Sequence, residues 1–163
     1  MANRFLSIYL NDHLAGATAG VELARRVRNS NRDDAELGTP ISDLCGEVEA
    51  DRDTLERVMK QLGIRRDPLK VKAGWLVEKV GRLKLNGQLR GYSPLSRVIE
   101  LEGLCLGITG KIEIWRTLRR ALGSEWSGFD FIALEERALR QREVADDLQS
   151  RAVDVMLAAG SPT

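Results

Sequence analysis

Apolar residues recur along this chain at intervals of three and four, in five blocks separated by proline- and glycine-marked breaks. That period puts each block on one face of a helix. The blocks predict helices at roughly 4–29, 40–62, 68–85, 94–122 and 129–158. Thr39-Pro40, Asp67-Pro68 and Ser93-Pro94 each place a capping side chain before a proline at the first helical position. There the side-chain oxygen accepts an orphaned amide, and the ring has no amide to orphan. Gly63, Gly87, Gly123 and Gly160 mark ends. Period-two alternation is absent over any useful length, so no strand is predicted. Four long helices and a shorter one between the second and the last two describe an all-α helical bundle with one inserted crossing helix.

The apolar stripes carry polar interruptions. The first helix has Leu6, Leu10, His13, Ala17, Gly20, Ala24 and Val27 on one face, and His13 is the only histidine of the chain. In the second, Leu44, Cys45, Val48, Leu55, Val58, Met59 and Leu62 share a face on which one turn is filled by Asp51 and Arg52, with Glu47 on its flank. The fourth presents Val98, Leu101, Cys105, Ile108, Ile112 and Trp115, with Ile99, Leu104 and Leu106 beside them. Glu102 falls about 60° from the centre of that stripe at 100° per residue, and Thr109 and Arg116 follow along the same edge. In the last helix Gln141 interrupts Phe131, Leu134, Ala138, Ala145, Leu148, Ala152 and Val155. Unpartnered polar groups cost several kcal/mol to bury, so these groups are expected to meet one another in an interior cluster.

Composition narrows the function classes. The 163 residues suit one domain, spanning 1–163, with a single core. Apolar residues make up 43%, charged residues 30%, and the formal charge is +1, so neither nucleic acid nor an anionic membrane is expected as a partner. Neither a membrane-spanning run nor a signal peptide is read in the chain, and cytoplasmic residence is expected. Cys45 and Cys105 fall on apolar faces and read as buried free thiols, in keeping with a reducing compartment. Nucleophile elbows, phosphate-binding glycine loops and zinc-ligand sets are missing. The small residues from Ala15 to Gly20, with Gly103, Gly107 and Gly110, are expected to let helices approach closely.

The stretches EVEADRDTLERVMKQLG, DPLKVKAGWLVEKVGRL and ELEGLCLGITGKIEIW resemble, in that order, the second, short third and glutamate-bearing fourth helices of small bacterial stress-associated members of the ferritin-like superfamily. The resemblance implies a ferritin-like four-helix bundle with an additional shorter helix. Metal-binding members aim one Glu from each of two helices and a Glu-x-x-His from each of two others at a dinuclear iron or manganese site. Here Glu47 matches the second-helix glutamate, but Ala50 stands at the histidine position; Glu102 matches the later glutamate. Ala17 lies near the first-helix glutamate position with His13 one turn earlier, and Gln141 and Val144 replace the last Glu-x-x-His. Most of the ligand set is therefore missing. The resemblance implies a member without metals, its interior held by carboxylates neutralised by Arg52 and by Arg116 or Arg142.

Three functions follow as expectations. The first is a non-enzymatic bundle acting through self-association or a protein partner, with Trp75, Tyr92 and Trp126 offering apolar surface for a homodimer. The second is a metal-binding or redox protein using His13, Glu47, Asp51 and Glu102 as an altered iron or manganese site. The third is a small-molecule pocket lined by Tyr9, Cys45, Met59 and Cys105, in which the polar cluster orients the ligand.

Overall fold

In the computed structural model of the chain, which describes residues 3–67 and 92–160, Ser93 caps a helix as its place before Pro94 predicts. Its Oγ accepts the amide of Ser96 at 3.0 Å. Four helices carry most of the described residues: α1 (Arg4–Asn31), α2 (Gly38–Gln61), α3 (Pro94–Leu122) and α4 (Phe131–Ala159). The predicted helix at 68–85, with Trp75 and the break at Gly87, lies outside the described residues.

Two starts differ from the sequence expectation. α2 begins at Gly38, before Thr39-Pro40, with Leu37 at its N-cap and no side-chain cap; Asp34 instead holds the turn just ahead of it, its Oδ1 accepting the amides of Glu36 and Leu37. The last helix begins two residues late, at Phe131, with Asp130 Oδ1 accepting the amides of Ile132 and Ala133. Those two residues belong to a strand pair that was not expected. β1 (Glu125–Trp126) and β2 (Phe129–Asp130) pair antiparallel through Ser127-Gly128. Both turn residues have positive φ, 49° and 83°, the backbone a two-residue hairpin needs to match strand twist. Gly63 and Gly123 also take positive φ just after α2 and α3, whereas Gly160 does not.

One apolar cluster unites all four helices. Every residue of the predicted α3 face is buried in it, from Val98 to Trp115. Ile99 and Leu106, one position outside that face, are exposed.

Side-chain pairs give the helix directions. Arg25 meets Glu49 and Asn11 meets the carbonyl of Arg65, so α1 and α2 run antiparallel. Tyr9 meets Thr117 and Arg26 meets Glu100, so α1 and α3 do too. Arg116 with Glu135, and Arg142 with the Cys105 carbonyl, make α3 and α4 antiparallel. It follows that α2 and α3 point the same way. α3 packs along α4 and α1 along α2 over long stretches, while α2 and α4 meet over a shorter one.

Candidate functional site

The short α2–α4 meeting is where the polar interruptions converge. Asp51, 2% exposed, accepts Lys111 Nζ on Oδ2 at 2.6 Å and Arg137 Nη2 on Oδ1. Gln141, also 2% exposed, donates through Nε2 to Asp51 Oδ2 at 3.0 Å and to Glu47 Oε2 at 2.7 Å. Its own Oε1 accepts from Lys111 Nζ. Two carboxylates thus face two cations around one amide, and the formal charges cancel. Burying ions without such pairing would cost several kcal/mol each. Burial pushes the Lys111 ammonium below the ordinary lysine value, against the attraction of Asp51.

This cluster contains Asp51, Gln141 and Glu47 of the expected interior set, but its cations differ. Arg52 turns away from Asp51 to Asp53 (3.0 Å) and Glu56 (3.5 Å). Arg116 is exposed and pairs with Glu113 and Glu135. Arg142 grips Asp146 and reaches the Cys105 carbonyl and Thr109. Glu102 is also exposed rather than interior. Both Glu102 and Arg116 lie on the edge of the α3 stripe, and that edge faces solvent. Lys111 and Arg137 are residues that sequence reasoning missed. Lys111 stands three after Ile108 and four before Trp115, hence on the apolar face itself. Arg137 stands four before Gln141. A base at such a position opposite an interior acid was the available signal.

Beside the network lies a cavity of about 310 Å³. α1 contributes His13, Gly16, Ala17 and Gly20; α2 contributes Val48, Asp51, Arg52 and Leu55. The α3 wall includes Gly103, Gly107, Gly110, Ile108, Lys111 and Trp115. The antiparallel register of α1 and α3 puts Gly16 level with Gly110, and Gly20 level with Leu106 and Gly107.

Close helix approach is not what these glycines provide. A Cβ added at Gly16, Gly20, Gly107 or Gly110 would meet nothing within 4 Å. Only Gly103 is tight, its Cβ position 3.0 Å from Leu23 Cδ2. Each helical glycine costs about 1 kcal/mol relative to alanine; Gly20 and Gly110 are partly buried along the cleft, while Gly16 and Gly107 lie at its solvent-exposed mouth. The expected lining residues are elsewhere: Cys45, Met59 and Cys105 are packed in the core, and Tyr9 bonds to Thr117.

His13 is half-buried in the cavity wall, its ring 4.3 Å from that of Tyr9. Burial lowers its pKa from the ordinary 6.5, with Asp12 opposing. Among the described residues no three His, Cys, Asp or Glu side chains form a group suited to a metal ion. His13, Glu47, Asp51 and Glu102 accordingly do not make one. Trp115 and Arg52 line the cavity through other atoms: Trp115 Nε1 and Arg52 Nε are closed to solvent and have no hydrogen-bond partner among the described residues.

Chemically, the arrangement offers a half-open, mostly apolar cleft beside a self-neutralised ion network. No family model, curated protein or solved structure matches the chain.

Proposed function

We propose that this chain is a helical-bundle protein of ferritin-like architecture that binds one small apolar molecule in the cavity between α1, α2 and α3. It is a binding protein rather than an enzyme. The observation that carries the binding reading is the glycine lining of the cleft: partly buried Gly20 and Gly110 along it and exposed Gly16 and Gly107 at its mouth forgo a side chain that space would allow. A protein selected only for stability gains from alanine at such positions.

The architectural reading draws on the helix directions. Two antiparallel pairs with α2 parallel to α3 are the helix directions of bundles with one long crossover. In such bundles metal-binding members aim acids at cations in the interior. Here the Lys111 ammonium and the Arg137 guanidinium take up the charge of Asp51, whose two oxygens already accept three donors. That leaves the altered metal site without its central carboxylate.

Titration with 2-ethylnaphthalene tests the binding reading. Wild-type protein should bind one equivalent saturably. Gly110→Leu, which grows a side chain into the open space, should bind at least tenfold more weakly while its melting temperature does not fall. A filled variant that binds as well as wild type would sink the reading.

Self-association keeps one observation of its own: Leu95, Ile99 and Leu106 are exposed along α3. Tyr92 and Trp126 do not add to it, because Tyr92 bonds to Asn31 and Glu100 and Trp126 stacks on Phe129. Sedimentation equilibrium of wild type against Leu106→Lys decides this second reading; a monomer mass in both removes it.

A further inference from the structure

One oxygen of the buried network touches two nitrogens of different chemical character. Asp51 Oδ2 accepts the Lys111 ammonium at 2.6 Å and the Gln141 side-chain amide nitrogen at 3.0 Å. Lys111 Nζ also contacts Gln141 Oε1, which places the lysine nitrogen beside an amide carbonyl. Gln141 Nε2 is held a second time, by Glu47 Oε2 at 2.7 Å. These are the parts of an amide exchange: a nucleophilic nitrogen, an acyl carbon, a leaving nitrogen, and a carboxylate bonded to both nitrogens.

Burial favours the exchange. Asp51 and Gln141 are each 2% exposed and Lys111 13%, so water, the competing nucleophile, has little access. Desolvation pulls the Lys111 ammonium below the ordinary lysine value, which raises the share of neutral, nucleophilic amine. Because α3 and α4 pack over a long stretch, the two groups are held in contact and do not meet by diffusion. Such fixed juxtaposition stands in for a very high effective concentration. Arg137 holds the other Asp51 oxygen and so keeps Oδ2 between the two nitrogens.

We infer that Lys111 and Gln141 join, once the chain has folded, in an isopeptide bond between α3 and α4, with Asp51 carrying the protons. Lys111 Nζ gives a proton to Asp51 Oδ2, and the electron pair so freed forms a bond to Gln141 Cδ. Two protons pass in turn from Nζ to Nε2 through Asp51 Oδ2. The Cδ–Nε2 bond breaks with its electron pair going to nitrogen, and an ammonium ion leaves. One lysine ammonium and one primary amide thus become one secondary amide and one free ammonium, with no oxidant or cofactor consumed. The exit lies past Glu47, an exposed residue whose carboxylate already holds the leaving nitrogen. Freshly folded chain carries the ion network and matured chain the amide, which closes a covalent link between positions 30 residues apart. The bond is independent of what the cleft holds.

Mass spectrometry of the full wild-type chain, held overnight at mildly alkaline pH, tests this. The intact mass should be lower than that of the sequence by one ammonia. Trypsin should no longer cut after Lys111, so residues 98–116 should appear as one peptide carrying Gln141-Arg142 as a branch. The branch separates this reaction from ammonia lost by ring closure at Asn86-Gly87, which links no second peptide. Lys111→Arg, which keeps the charge, should show no branch. Asp51→Asn should show none either, although both joined residues remain; if that variant fails to fold, the wild-type result decides alone. A wild-type chain of full mass, cut normally after Lys111, overturns the inference. So does a loss of water that joins Lys111 to Asp51 instead, or a branch that forms undiminished in folded Asp51→Asn.

Discussion

Lys111 Nζ lies 2.6 Å from Asp51 Oδ2 and joins α3 to α2, two helices that run in the same direction. Both side chains are largely withdrawn from solvent, 13% exposed for Lys111 and 2% for Asp51. Removing one partner of a buried pair leaves the other charge without its counterion, at a cost of about 3–5 kcal/mol. Lys111→Met and Asp51→Asn should each destabilise by that order in urea unfolding. The double variant should lose much less than the sum, because it removes the orphaned charge along with the bond. Strict additivity would show that the two groups are not coupled.

His13 supplies a pH dependence with a definite sign. Its folded pKa is depressed by burial from the ordinary 6.5, so the unfolded chain binds the proton more readily. The stability contribution is therefore whole above pH 6.5 and is lost as pH falls through the folded value. Wild type should lose more stability than His13→Gln between pH 7 and 5. The chain has a single histidine, so one imidazole C2–H resonance reads its titration directly. An unshifted midpoint near 6.5 would contradict the burial.

The glycines divide into two kinds, and alanine substitution separates them. At Gly110 the added methyl meets nothing, so Gly110→Ala should stabilise by about 1 kcal/mol, or roughly 2–4 °C for a chain of this size. At Gly38 the methyl would sit 3.0 Å from the Asn31 carbonyl oxygen and 3.1 Å from that of Arg32. Backbone carbonyls yield less readily than the tip of a side chain, so Gly38→Ala should lower the melting temperature. Differential scanning calorimetry of the two variants measures both directions.

What the chain reveals on reading alone divides along physical lines. The buried face of α3 was legible because six apolar residues keep helical spacing behind a Ser-Pro start. Asp51 and Gln141 were legible as interior groups because each breaks a stripe. Lys111 and Arg137 escaped notice since long aliphatic stems let a base on an apolar face pass for one at its margin. The purpose of the glycines was misread for another reason. Periodicity shows that a face lacks side chains, but not whether the neighbouring helix closes onto it. The hairpin at Ser127-Gly128 was missed because two-residue strands are too short to alternate.

The division of charge within the buried network bears on how the chain assembles. Its acids, Glu47 and Asp51, come from the first helical hairpin, and its bases, Lys111 and Arg137, from the second. Each hairpin alone presents a greasy face marked with one sign of charge. Two first hairpins from different nascent chains would set carboxylate against carboxylate, and two second hairpins would set base against base. Only the unlike halves neutralise each other on meeting, so the same groups that burden the finished core with desolvation also discourage its halves from pairing with the wrong mate.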